Sequence, residues 1–196
     1  MGDIGYLRIP RLDARMIETI VADIESFRDT TAMVIDVRDN AGGSYALMHA
    51  IYGYFVPADA SPYVANIAAY RLSDRFERDH LNKRPSFRAT WEGWSEAERE
   101  SIQGTAESFR PAWDLPREKF SEWHYMVLSR QRGGQDYFYY DKPVAVLCNA
   151  GSSSATDVFI NVLADLPQVV FTSPIIVYVI GPGKSIGLLA DFSPGF

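Results

Sequence analysis

Residues 32–44 read Ala32-Met33-Val34-Ile35-Asp36-Val37-Arg38-Asp39-Asn40-Ala41-Gly42-Gly43-Ser44, and their reading decides the fold. The first six form a short apolar run of the kind found in strands covered on both faces by helices. Two glycines follow, and then Leu47, Met48, Ile51, Tyr52 and Phe55 recur at helical spacing. The chain therefore passes from strand through a small-residue turn into a helix. A second passage repeats this plan. Pro143-Val144-Ala145-Val146-Leu147-Cys148-Asn149 reads as a buried strand, Ala150 to Asp157 as a turn rich in Ser, and Val158 to Leu166 as an apolar helix. Upstream, Asp3 to Pro10 is strand-like, and Met16, Ile17, Ile20, Val21, Ile24 and Phe27 mark one face of a helix over 14–27. Strands alternating with helices predict an α/β fold with right-handed crossover connections.

Between the two strand-turn-helix passages the composition changes. From Pro57 to about Gln135 the chain is polar, Arg-rich and aromatic, and it holds all four tryptophans, Trp91, Trp94, Trp113 and Trp123. This predicts one domain over 1–196, with its core in 1–56 and 136–196 and a mainly helical, aromatic-rich insertion over about 57–135. The insertion's aromatic residues are expected in a core, with the lining of a peptide groove as the alternative. At 196 residues, with 47% hydrophobic and 22% charged residues, the chain is long and apolar enough for such a packed fold.

A net charge of −6 excludes nucleic acid as a partner, since phosphate neutralisation needs a basic surface. The single cysteine, Cys148, offers neither an intrachain disulfide nor a clustered zinc site. No apolar run is long enough to span a bilayer, and the opening MGDIGYLRIP lacks the basic and apolar regions of a signal peptide. Because the chain opens directly on a strand, native segments are expected to precede it.

The two turns are where chemistry would sit, because sites in open α/β sheets gather at the carboxyl ends of strands. Gly42 and Gly43 let a substrate carbonyl approach their backbone N–H groups closely, as an oxyanion hole requires, although a Gly-Gly pair also makes an ordinary flexible connection. Ser152, Ser153 and Ser154 offer a nucleophile above a helix N-terminus, although serine there also serves as a cap, as do Thr156 and Asp157. Gly183-Lys184-Ser185 lacks the earlier glycine of a phosphate-binding loop, whose place is taken by Tyr178, so ATP is not implied.

Taken together, Ile4 to Ile9, Val34 to Gly43 and Ser153 to Phe159 resemble, in content and order, the tail-specific (C-terminal-processing) and tricorn-type serine peptidases. The resemblance covers roughly residues 3–56 and 136–168. It implies the ClpP/crotonase-like fold with its layered β-α units, a peptide or protein substrate, and hydrolysis through an acyl-enzyme without metal or organic cofactor. It places the nucleophile on Ser154, three residues before Asp157, and oxyanion donors on the N–H groups of Gly42 and Ala155, with Gly43 the close alternative. In the processing peptidases the base is a downstream lysine. Lys184 is the only lysine after Ser154, at a separation of 184 − 154 = 30 residues, a few more than the family pattern.

Tricorn-type relatives use a histidine ahead of an intervening PDZ domain, a position that His49, His80 and His124 do not match. The same resemblance suggests a PDZ domain in the native protein and a periplasmic or extracellular setting, with a cytoplasmic one as the alternative. After Val169 the sequence departs from the family, running Thr172-Ser173-Pro174 into the apolar stretch 175–180. Two other classes share the fold: a non-catalytic binding module resembling the retinoid-binding relatives, with the aromatic insertion as its pocket, and crotonase-type acyl-CoA chemistry, which would call for a basic adenosine-phosphate site that the sequence does not offer.

Overall fold

Four parallel strands, β1 (Ile4–Arg8), β2 (Ala32–Asp36), β6 (Val144–Leu147) and β7 (Val169–Thr172), form the main sheet in the order β1-β2-β6-β7. These elements belong to a computed structural model that describes residues 2–72, 80–112, 115–133 and 136–172. Helix α1 (Ile17–Ser26) carries the chain from β1 to β2, and α5 (Ala155–Ala164) carries it from β6 to β7. Both crossovers are of the βαβ type that parallel pairing requires. Helix α2 (Ala46–Ile51) follows β2 and runs into a 3-10 turn over Tyr52–Tyr54. The α/β plan with a parallel sheet is as the sequence predicts.

The main-sheet strands are covered on one face more than the other, which corrects the expectation of burial on both. Leu7, Met33, Ile35, Val144 and Val146 are at most 1% exposed and share one apolar cluster with Ile20 and Ile24 of α1 and Phe159 and Leu163 of α5. The register sets Tyr6 beside Val34, Val34 beside Ala145 and Ala145 beside Val170 on the other face. There Tyr6 and Val170 are exposed and Val34 and Ala145 half-buried. Side chains alternate between faces along a strand, so a continuous apolar run does not by itself require two covers.

The insertion carries, beside its helices, a sheet that the sequence reading did not anticipate. Strands β3 (Tyr63–Ala68), β4 (Phe87–Arg88) and β5 (His124–Leu128) form an antiparallel sheet in the order β3-β5-β4. Its longest helix is α3 (Glu96–Ser108), opened by a capping box in which the Ser95 hydroxyl accepts from Glu98 N–H and the Glu98 carboxylate accepts from Ser95 N–H. A single turn, α4 (Arg130–Gly133), follows β5.

Every residue of β5 is buried, because both of its faces are covered. Met126 and Leu128, with Ala65, join the main core, while Tyr125 and Val127, with Val64, pack against Trp94 and Ile102. The insertion is thus a second layer on the same core. Among its described aromatic residues, Phe87 stacks on Trp91 at 3.9 Å between ring centroids and Trp94 meets Trp91 edge-on at 5.0 Å, while Trp113 lies outside the described residues.

At the carboxyl end of β2, Asp36 is 1% exposed and collects five donors. Tyr6 Oη donates to it at 2.6 Å, Arg8 Nη1 at 2.6 Å, Arg38 Nη2 at 2.7 Å, Arg38 Nε at 3.0 Å and the Arg38 backbone N–H at 3.0 Å. The Arg38 guanidinium foremost, with help from Tyr6 and Arg8, holds the carboxyl well below its usual range against the opposing effect of burial. A carboxyl lowered on folding contributes stability that is complete above its unfolded value near 4 and is lost as pH falls below it. Asp36→Asn is expected to cost about 1–3 kcal/mol at pH 7, below the roughly 3–5 kcal/mol of breaking a fully buried pair because both arginines regain water. Urea melts at pH 7 and pH 3 check this, with the variant losing less stability than the parent between the two.

Candidate active site

Because β2 and β6 are parallel neighbours, the turns that follow them leave the sheet side by side. Bonds tie one to the other. Val37 N–H donates to Leu147 O at 2.9 Å, Ser152 Oγ to Val37 O at 2.8 Å, and Ser153 N–H to Asn40 O at 3.0 Å. Asp39 N–H donates to Asn149 Oδ1 at 2.8 Å, and Asn149 Nδ2 returns a bond to Asp39 Oδ1 at 2.9 Å.

Asn40, fully buried, is the centre of this seam. Its Nδ2 donates to Ile9 O at 2.9 Å, and its Oδ1 accepts from Gly42 N–H at 2.9 Å and from Thr156 Oγ1 at 2.8 Å. One amide thereby links the end of β1, the glycine turn and the first turn of α5. Nothing in the sequence distinguishes this asparagine from an ordinary turn residue; the hint is only that it stands between a strand end and a Gly-Gly pair.

The serine turn separates its residues by role. Ser152 is spent on structure, its hydroxyl donating to Val37 O and accepting from Asn149 N–H at 3.1 Å. Ser153 uses its backbone, accepting from Thr156 N–H at 3.1 Å. Ser154 occupies the N-cap position of α5 at φ 61° and ψ −123°, and its side chain makes no capping bond. Only glycine adopts that conformation without strain. Its hydroxyl has no hydrogen-bond partner among the described residues, and it faces a cavity of about 820 Å³.

The glycines also separate. Gly42 is buried at φ 92°, with its N–H committed to Asn40 and its carbonyl to Leu12 N–H at 3.2 Å. It lies against the helix start so closely that a Cβ there would sit 2.8 Å from Ser154 Cβ and 2.9 Å from Ala155 N. Gly43, at φ 144°, is exposed and lines the same cavity as Ser154. Among the described residues its N–H donates to nothing, and neither does that of Ala155, the first residue of α5. Two unspent N–H donors therefore flank an unspent hydroxyl, and the Ala155 donor stands at the positive end of a ten-residue helix.

The cavity is lined by Arg11 to Arg15 from the loop after β1, by Gly43, Ser44 and Tyr45, by Ser154, and by Arg84 from the insertion. Neither the first loop nor Arg84 stands out in the sequence, because what recruits them is tertiary. Leu12 pairs with the glycine turn through Ser44 N–H donating to Leu12 O at 2.6 Å.

Lys184 and the side chain of His80 lie outside the described residues. His49 is on α2 and does not line the cavity. Its burial, with the field of Arg132, lowers it to about 4, so it is neutral at pH 7. His124 is fully buried in β5, its Nδ1 2.9 Å from Glu122 O.

A serine in a strained strand-to-helix turn, its hydroxyl unbonded among the described residues and close to backbone donors, is an arrangement that serine-based acyl-transfer sites use. Residues 3–171 match the model of peptidase family S41, and the chain belongs to that family. The matched range spans the insertion and stops short of Lys184. Among solved structures, a CPAF mutant aligns with a TM-score of 0.51 at 18% identity, over 87% of this chain and 36% of that one. Mature CPAF complexed with lactacystin gives 0.50 at 18%, over 87% and 37%. The photosystem II D1 C-terminal processing protease gives 0.46 at 12%, over 86% and 29%. The CPAF structures share the fold, and the chain spans little more than a third of their length.

Proposed function

We propose that this chain carries the nucleophile and oxyanion hole of a serine peptidase acting on peptides or proteins. The observation that carries the reading is Ser154: a non-glycine residue strained at φ 61°, with its hydroxyl unbonded among the described residues and turned to a cavity. Ser154 Oγ attacks the scissile carbonyl and gives up its proton to a base. The developing oxyanion is held by the N–H groups of Gly43 and Ala155, since that of Gly42 is occupied by Asn40. Collapse expels the amine with a proton returned by the base, and water releases the acyl-enzyme. Lys184, deprotonated when it acts, is the candidate base, and a PDZ domain elsewhere in the native protein would present the substrate.

The test is labelling of the purified chain with a fluorophosphonate probe, the adduct located by mass spectrometry. Labelling of Ser154, absent from Ser154→Ala and reduced in Lys184→Ala, is the expected result. A folded chain left unlabelled would sink the reading. Strain gives a second check, because glycine relieves the backbone and alanine does not. Ser154→Gly is expected to be more stable than Ser154→Ala by about 1 kcal/mol, with neither labelled, as read from urea midpoints.

A further inference from the structure

The cavity beside Ser154 is basic in a chain of net charge −6. Its lining carries Arg11, Arg15 and Arg84 against a single carboxylate, Asp13. Arg15 and Asp13 are committed to each other: Arg15 Nε reaches Oδ1 at 3.0 Å, Nη2 reaches Oδ2 at 2.5 Å, and the Arg15 backbone N–H donates to Oδ1 at 2.9 Å. Arg11 and Arg84 remain. Among the described residues neither guanidinium enters an ion pair.

The two come from different parts of the chain. Arg11 follows β1, and Arg84 sits in a turn of the insertion closed by Arg84 N–H donating to Leu81 O at 2.8 Å. Leu12, Ala14 and Tyr45 give the same cavity apolar surface. Guanidinium groups present fixed forks of N–H donors that match a carboxylate, and a cleft walled by one sign of charge concentrates the opposite sign. Among the described residues the one carboxylate in reach of this pair is Asp13, which feels Arg11 but is hydrogen-bonded to Arg15, so a ligand carboxylate would find both guanidinium groups without a bonded counter-ion.

We infer that the cleft beside Ser154 takes an acidic side chain of the peptide substrate at a position flanking the scissile bond, with Arg11 and Arg84 pairing to its carboxylate. The inference rests on Ser154 as the nucleophile and names the class of substrate for that site. Its origin in the insertion makes Arg84 a specificity residue supplied by the second layer of the fold.

The test uses quenched fluorescent peptides with blocked C-termini, in which one Glu is walked through the positions around the cleaved bond and compared with Gln at each. At one position Glu is expected to raise kcat/KM about 5–10-fold over Gln, as two partly exposed pairs allow. The ratio should fall below about 2 in the double variant Arg11→Gln, Arg84→Gln, and shrink in about 0.5 M salt, where charges are screened within a few ångströms. Equal rates for every pair, a preference that survives the double variant, or a preference that appears only with a free C-terminal carboxylate would each overturn it.

Binding of the same peptides to Ser154→Ala, read by fluorescence anisotropy, measures the preference without turnover. Fluorophosphonate labelling reports separately on the nucleophile. A labelled Ser154 with no Glu preference removes the acidic pocket and leaves the peptidase reading standing. Glu-selective binding without labelling does the reverse.

Discussion

Asn40→Ala is expected to cost about 3–5 kcal/mol of stability and to abolish labelling of Ser154. The buried amide answers Ile9 O, Gly42 N–H and Thr156 Oγ1 together, and alanine leaves all of them without that partner in a site with no exposure to water. Each buried orphan costs about 1–3 kcal/mol, less whatever the neighbours recover by shifting. The shift itself damages the site, because Gly42 and Thr156 belong to the two turns that must stay in register for Gly43 and Ser154 to face one cavity. Asn40→Asp sharpens the test. An ionised carboxylate still accepts from Gly42 and Thr156 but opposes Ile9 O, whereas its protonated form restores the donor. Burial raises the pKa of such a carboxyl, so the variant's stability is lost as pH rises from the unfolded value near 4 through the folded one. Urea midpoints should therefore favour Asn40→Asp at pH 5 over pH 8. Asn40→Ala melting within 1 kcal/mol of the parent would mean that these bonds do not hold the turns together.

The sequence told these features apart unevenly, and the division follows how local each signal is. Strands β2 and β6 and their turns were legible because an apolar run followed by Gly-Gly or Ser-Ser-Ser is a local pattern. Ser154 was legible as part of a motif of a few residues ending at Asp157. Which of Gly42 and Gly43 keeps an unbonded N–H among the described residues was not, since it turns on which N–H the Asn40 side chain takes, a matter of side-chain direction. Nor was the antiparallel sheet of the insertion: Tyr63 pairs with Leu128 across most of that segment, and neither strand carries a hairpin signal that would announce the other. Of its aromatic residues Trp94 and Tyr125 are buried and Trp91 and Trp123 partly so, yet aromatic content does not separate helix from strand. Arg84 was beyond reach for the same reason, since its meaning depends on the insertion folding back to the cavity that holds Ser154.

Gly43→Ala is expected to lower kcat by about 10²–10³-fold, the loss typical of removing one oxyanion donor, and to cost about 2–4 kcal/mol of stability. At φ 144° an L side chain is strained, and a Cβ on Gly43 would collide with the Leu12 carbonyl oxygen. That oxygen accepts the Ser44 N–H at 2.6 Å, so relief requires the glycine turn to withdraw from the loop after β1 and carries the Gly43 N–H away from Ser154. Ala41→Ser is the control, because Ala41 is exposed on the same turn and the change should stay within about 0.5 kcal/mol. Steady-state rates and urea melts of the two variants, compared with the parent, separate a lost donor from general loosening. A donor lost from a folded enzyme appears as a fall in kcat at temperatures well below the melt, with labelling of Ser154 slowed in proportion. If Gly43→Ala keeps its rate within tenfold while melting early, the oxyanion is held elsewhere and the unpaired N–H of Gly43 has only a structural meaning.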